Sequence, residues 1–169
     1  MKKLFCLYFI LLSSTLLLAD ALFTQHTIMP YLDGACSIGG GDFDGDGDMD
    51  VVATAVTGDY IAWFENDGQQ NFTFHVIMED FDGARVLDVA DIDGDGDKDI
   101  VVTAYEAGII AWFNNDGTSS FTQHIITDTW PTASFVYACN QRLGMDLDID
   151  GDGDTDILAT ACGIGRLGW

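Results

Sequence analysis

The sequence is short of positive charge. Six Lys plus Arg stand against 28 Asp plus Glu in 169 residues, a formal charge of −22. Two of the six are Lys2 and Lys3, which leaves Arg85, Lys98, Arg142 and Arg166. Four scattered cations cannot neutralise a phosphate backbone or hold an anionic bilayer, so nucleic acid and membrane surfaces are excluded as partners. Glu is scarcer still. Only Glu65, Glu79 and Glu106 occur, so 25 of the acids are Asp. A chain acidic merely for solubility would mix both types, and Asp is the weaker helix former. Proline is almost absent, with two residues, yet hydrophobic residues make up 48%. That excludes an acidic disordered tail. Also missing are Gly-x-Ser-x-Gly, His-Glu-x-x-His and a phosphate-binding glycine loop. Nothing demands an enzyme, and no catalytic residue is assigned.

The one long apolar run is N-terminal. Met1-Lys2-Lys3 precedes it, and it extends from Leu4 to Leu18, softened by Ser13-Ser14-Thr15. Ala19-Asp20-Ala21 then places small residues at the −3 and −1 positions of a cleavage site. This is the layout of a secretory signal peptide over residues 1–21, and the run is short for a membrane span. A retained anchor is the alternative. Cleavage would leave 4 bases and 27 acids, a charge of −23. Secretion implies an oxidising setting for Cys36, Cys139 and Cys162, an odd count that leaves one unpaired within the chain.

The remainder repeats. Asp42-Phe-Asp-Gly-Asp-Gly-Asp-Met-Asp50 is followed by Asp91-Ile-Asp-Gly-Asp-Gly-Asp-Lys-Asp99 and Asp148-Ile-Asp-Gly-Asp-Gly-Asp-Thr-Asp156. The second interval, from Asp91 to Asp148, is wider than the first. Ile61-Ala-Trp-Phe64 recurs as Ile110-Ala-Trp-Phe113, and Trp169 takes the third position. Phe23-Thr-Gln-His26, Phe72-Thr-Phe-His75 and Phe121-Thr-Gln-His124 share one phase. A fixed period of about 50 residues marks a propeller or similar array. Within unit two, strands are predicted at Val86–Ala90, Ile100–Ala104, Ile109–Phe113 and Phe121–Ile126, with a hairpin turn at Asn114-Asn-Asp-Gly117. The expected fold is all-β: propeller blades of four antiparallel strands, units at about 35–77, 86–126 and 140–169. A lone strand at Phe23–Ile28 brings the total to about two and three-quarter blades, too few to close a ring.

Five Asp at alternate positions repel one another unless a cation holds them. Oxygen-only donors suit a hard ion, and glycine lets the loop bend around it. Carboxylates at positions 1, 3, 5 and 9 and the carbonyl at 7 supply most of the oxygens that Ca²⁺ takes. The stricter geometry and slow dehydration of Mg²⁺ favour Ca²⁺. An EF-hand is excluded, because its position-12 Glu is here Ala53, Val102 and Ala159. Gly-Gly-rich nonapeptides of a calcium β-helix are absent.

The loop Asp-x-Asp-x-Asp-Gly-x-x-Asp before an apolar strand resembles the Ca²⁺ loop of FG-GAP or VCBS repeats, found in integrin α-chain propellers and in secreted bacterial proteins. Resemblance covers residues 22–169. It implies loops joining the first and second strands of each blade, on one face of a six- to eight-bladed ring. By that resemblance the side-chain ligands are Asp42, Asp44, Asp46 and Asp50; Asp91, Asp93, Asp95 and Asp99; Asp148, Asp150, Asp152 and Asp156. Main-chain donors are Asp48, Asp97 and Asp154, and about three Ca²⁺ are implied. The Phe-Gly and Gly-Ala-Pro landmarks are poorly kept, which places the chain nearer the VCBS-like branch than integrin.

Other residues carry weaker signals. His26, His75 and His124 share one phase, so they are expected on outer strands of separate blades rather than in a metal site. Trp63, Trp112 and Trp169 are expected in inter-blade core. The wider second interval hides eight extra residues, expected between the fourth strand of unit two and the first of unit three, opposite the Asp loops. That stretch holds Trp130, Phe135, Tyr137, Asn140, Gln141 and Arg142, side chains suited to carbohydrate or an extended peptide. A Cys139–Cys162 disulfide is expected across neighbouring strands. The functional expectation is a secreted, calcium-binding, non-catalytic adhesion or recognition module. The alternatives are the propeller portion of a polysaccharide-degrading enzyme, with catalytic residues elsewhere, and a structural spacer. Incomplete blade number implies the N-terminal part of a longer propeller, the lone strand completing the last blade. The other reading is a homodimer of three-blade chains in one six-bladed ring.

Overall fold

The computed structural model of the chain describes residues 24–139 and 148–169. Eleven strands and no helix occur among them. The first sheet holds β1 (Ala35–Gly41), β2 (Asp50–Ala55), β3 (Tyr60–Asn66) and β4 (Phe72–Met78). The second holds β5 (Ala84–Ala90), β6 (Asp99–Ala104), β7 (Ile109–Asn115) and β8 (Phe121–Thr127). The third holds β9 (Ala133–Cys139), β10 (Asp156–Ala161) and β11 (Arg166–Gly168). Each is an antiparallel meander, in the orders β1-β2-β3-β4, β5-β6-β7-β8 and β11-β10-β9.

Burial explains the strand sequences. β6, Asp-Ile-Val-Val-Thr-Ala, is buried at every position because sheets cover both of its faces, so its pattern is continuous rather than alternating. Outer strand β8 is mostly exposed and carries the polar Thr122, Gln123 and His124. The sheets stack face to face in chain order. Val52, Ile61 and Trp63 of the first meet Leu87, Val89, Ile100, Val102 and Phe113 of the second. Val101 and Ile110 then meet Val136, Ala138 and Ala159 of the third. Each large aliphatic side chain so enclosed contributes about 1.5–3 kcal/mol. Contacts between sheets run through the first and second strands, β1 with β5 and β5 with β9, as the inner strands of fanned blades do. Even the irregularities repeat: register shifts in β1 and β3 recur one period later in β5 and β7.

Four expectations are corrected. Residues 24–28 form no strand, and no described strand pairs with them. The third sheet starts at Ala133 rather than 140. The β8–β9 connection therefore spans residues 128–132, matching 79–83 between β4 and β5, and the eight extra residues are 140–147, between β9 and the third Asp loop. Trp169 is 65% exposed, whereas Trp63 is 5% exposed. Finally, Cys36, Cys139 and Cys162 are all free thiols. Cys139 pairs with Asp156 at one end of the β9–β10 ladder, and Cys162 follows Ala161, which pairs with Ala133 at the other. That separation is about 20 Å at strand rise, far beyond disulfide reach. With the insertion after β9 rather than before it, Cys139 ends a strand instead of preceding one.

Candidate metal centres

The three Asp loops bridge β1 to β2, β5 to β6 and β9 to β10. Their glycines are there for the backbone. Gly45, Gly47, Gly94, Gly96, Gly151 and Gly153 all have φ between 76° and 102°, where other residues are strained. A methyl group on Gly94 or Gly96 would meet nothing, so dihedral freedom rather than space is what the loop needs.

That backbone turns the loop's own amides onto its carboxylates. Asp42 Oδ1 accepts from Gly45 N at 2.8 Å, and Oδ2 from Gly47 N at 3.0 Å. Asp91 repeats this at 2.8 and 3.1 Å, and Asp148 at 2.6 and 3.0 Å. The position-9 carboxylate closes the loop: Asp50 accepts from Phe43 N and Asn66 N, and Asp99 from Ile92 N and Asn115 N. Both are fully buried. The result is three groups, Asp42/Asp44/Asp50, Asp91/Asp93/Asp99 and Asp148/Asp150/Asp156, each with one oxygen per residue and all within 4.8 Å of one another. Positions 5 and 7 of each loop (Asp46, Asp48, Asp95, Asp97, Asp152 and Asp154) stand outside these groups.

No cationic side chain pairs with these groups among the described residues; the one basic–acidic side-chain contact there is the hydrogen bond between His75 Nε2 and Glu65 Oε2, at 2.8 Å, away from the loops. Burial raises the carboxyl groups of Asp44, Asp99 and Asp150 above their ordinary range, and neighbouring Asp charges add to it. For these groups the ion-free fold holds a proton more tightly than the unfolded chain does. The stability they contribute is complete below the ordinary carboxylate pKa and is lost as pH rises through the raised value. Three clustered carboxylates, each oxygen keeping a second lone pair after its amide bond, fit a hard divalent cation by donor chemistry and spacing.

Asparagine is a partner that the spacing of the Asp loops does not announce. Asn66 and Asn115, one period apart, give backbone N–H groups to position 9 and side-chain amides to Met49 O and Lys98 O. Asn115 also donates to Phe43 O at 2.8 Å, tying the second sheet to the first loop. Asn114 donates to Asp93 Oδ2 at 2.6 Å, and Thr155 to Asp91 O at 3.1 Å. The repeated Asn-Asp-Gly reads in sequence only as a turn; its constant phase with position 9 was the available signal.

The expected ligand residues are not brought together. Trp130 packs in the core between the second and third sheets, with the Arg166 guanidinium 5.3 Å from its ring centre. Phe135 and Tyr137 lie on β9 and are exposed. Asn140, Gln141 and Arg142 lie outside the described residues, as does the expected signal peptide. His75 and His124 stack on Trp63 and Trp112, at 4.5 and 4.7 Å between centroids, on outer strands of separate sheets. Cys162 is exposed and its thiol is lowered by the Ser134 hydroxyl 3.0 Å away; Cys139 is buried and its thiol is raised by desolvation.

Tandem antiparallel meanders of four, four and three strands, stacked through their inner strands and each carrying an acidic nine-residue segment between its first and second strands, define a propeller-like repeat protein. The FG-GAP-like repeat model matches residues 42–102 and 91–139, and the chain belongs to that family. No match was found among curated proteins. Among the described residues no helix is long and apolar enough to cross a membrane.

Proposed function

We propose that the chain is a secreted, calcium-binding module of propeller blades that serves adhesion or recognition and carries no catalytic centre. The observation behind this reading is the threefold recurrence of uncompensated Asp clusters at one place in an FG-GAP-like repeat. Asp42, Asp44 and Asp50, with their counterparts in loops two and three, hold the ions. Asp46, Asp95 and Asp152 and the carbonyls of Asp48, Asp97 and Asp154 complete the donor set implied by the family loop. The bound cation neutralises carboxylates that the fold forces together. Exposed surface on such a rigid scaffold is then free to recognise extracellular protein or carbohydrate.

Calorimetric titration of chelator-treated protein with Ca²⁺ tests the metal reading. Three sites per chain are expected, with Mg²⁺ a poor competitor. Replacing Asp44, Asp93 and Asp150 by Asn together should abolish binding. Uptake equal in that variant and the parent would refute the assignment. Export of the chain with cleavage after Ala21 tests secretion, and binding of the calcium-loaded protein to glycan and matrix-protein arrays tests recognition.

A further inference from the structure

Phe43, the second residue of the first Asp loop, is held as much by the second sheet as by its own loop. Its ring is fully buried in the core that the first two sheets share, and it meets Phe121 of β8 edge-on, with 5.9 Å between centroids. Its carbonyl oxygen accepts from Asn115 Nδ2 at 2.8 Å. Asn115 is the last residue but none of β7 and is itself fully buried. Its backbone N–H donates to Asp99 Oδ1 at 2.8 Å, and the Phe43 N–H donates to Asp50 Oδ2 at 3.1 Å. Asp50, Phe43, Asn115 and Asp99 thus form one buried line of hydrogen bonds. It runs from the position-9 carboxylate of loop one to that of loop two.

Asn66, one period earlier, shows what sets the Asn115 side chain. The Oδ1 of Asn66 accepts from Gly68 N at 3.2 Å and its Nδ2 donates to Met49 O at 3.1 Å, so it serves its own hairpin and loop. Asn115 keeps the second of these bonds, to Lys98 O at 3.2 Å, but its Oδ1 is buried without a partner. A buried acceptor left unpaired is unfavourable. Local satisfaction therefore does not explain the orientation, and the bond to Phe43 does. The turn that follows is also wedged between the loops. A methyl group on Gly45 would lie 3.7 Å from Gly117 O, and one on Gly117 would meet Asp97 Oδ2 at 2.5 Å. Loops two and three are joined by less: Thr155 Oγ1 donates to Asp91 O at 3.1 Å, in a partly buried position.

We propose that Asn115 is a positioning residue that couples the first two ion sites, so that Ca²⁺ in either loop raises the affinity of the other. This rests on the metal reading above. With loop two filled, Asp99 is fixed, and through Asn115 so are the Phe43 peptide and the N–H that orients Asp50. Ordering that the second binding event would otherwise have to supply is then already in place, which is positive cooperativity without a new contact. The coupling is reciprocal by necessity. Electrostatics opposes it, because a filled loop draws the neighbouring ion less strongly. Screening beyond a Debye length of about 8 Å at physiological salt weakens that opposition.

Calorimetric Ca²⁺ titration at physiological salt tests this, in a chain whose third loop is disabled by Asp150→Asn. Adding Asp44→Asn leaves loop two alone, and adding Asp93→Asn leaves loop one alone. The product of those two affinities is the uncoupled expectation. The two-loop chain should exceed it by about 5-fold or more, the lower end of ordinary allosteric coupling. Asn115→Ala should return the chain to the product, while Asn66→Ala should alter loop one alone and leave the coupling in place. Amide hydrogen exchange gives a reading that needs no Asn115 variant. In the chain carrying Asp44→Asn and Asp150→Asn, Ca²⁺ should slow exchange across residues 42–50 of the disabled first loop. Two ions bound with the product of the separate affinities overturn the coupling and leave the metal sites standing, and so does a disabled loop whose exchange is unchanged. Coupling that survives Asn115→Ala overturns the part given to Asn115. No Ca²⁺ uptake by any of these chains removes the metal reading and this inference with it.

Discussion

At the scale of single residues, the Asp loop asks two separate things of its carboxylates. Positions 1 and 3 are at least partly exposed, position 1 accepting only from amides of its own loop, while position 9 also takes an amide from the neighbouring strand in the first two loops. Asp50 and Asp99 are fully buried, and each accepts two main-chain N–H groups. Asp156 is only partly buried and accepts from Ile149 N alone among the described residues. An amide stripped of its acceptor in a buried site costs about 1–3 kcal/mol. In chelator, therefore, Asp50→Ala and Asp99→Ala should each destabilise the fold by about 2–4 kcal/mol, and Asp156→Ala by clearly less. Urea denaturation measures the ranking; equal losses at all three would show that the amide network is not what position 9 serves. The alternate-Asp pattern announced the cluster in sequence, since five acids in nine residues repel one another unless something compensates them. It could not divide labour within the cluster, because that depends on Asn66 and Asn115, which are distant in sequence and close only in the sheet.

At the scale of elements, strand identity was legible wherever the period held. The predicted strands of unit two fall within β5 to β8, each to within two residues of its ends, because β-branched and aromatic runs leave little choice beside Asp-Gly loops. Where the period broke, the pattern of residues held nothing that assigned the eight extra ones to either side of β9. Phe135 and Tyr137 read as loop residues because they are aromatic and out of phase with a first strand drawn at 140. The ladder decides otherwise, pairing Tyr137 with Leu158 and Phe135 with Thr160. The two placements predict different deletions. Removing residues 140–147 makes the second interval equal to the first and joins Cys139 directly to Asp148, as Gly41 joins Asp42. That variant should fold, keep its metal stoichiometry, and differ from the parent by no more than about 1 kcal/mol, since loop length enters stability only logarithmically. Removing residues 128–135 instead destroys the start of β9 and should leave the third sheet unformed. Amide hydrogen exchange across β10 reads the difference. If the second deletion were the harmless one, the assignment of β9 would be wrong.

For the molecule as a whole, the imbalance between 6 bases and 28 acids becomes a local matter once the loops are seen. Fifteen of the acids lie in three segments of nine residues, held at fixed separations by backbone amides and answered by no cationic side chain among the described residues. The free energy stored there is electrostatic, so it responds to anything that supplies positive charge, but unequally. Diffuse sodium screens charges separated by more than a Debye length, about 8 Å at physiological salt, and the cluster oxygens lie within 4.8 Å. Salt should therefore relieve repulsion between loops and leave most of the repulsion inside each one. A divalent ion acts inside. At 100 times its Kd, a ligand that binds only the folded chain adds about 2.7 kcal/mol per site, so three independent sites add about 8 kcal/mol. The expected thermal melts follow from this. Chelated protein gains a modest rise in Tm as NaCl increases; Ca²⁺ gives a much larger rise at constant ionic strength; and in saturating Ca²⁺ the remaining salt dependence is weaker, because three ions remove six charges. Replacing Asp44, Asp93 and Asp150 by Asn should raise the Tm of chelated protein slightly, by deleting repulsion, while removing the response to Ca²⁺. That crossing of the two effects in one variant is specific to a cation site. If the acidic loops were solvated turns and nothing more, NaCl and Ca²⁺ matched for ionic strength would shift the melt alike.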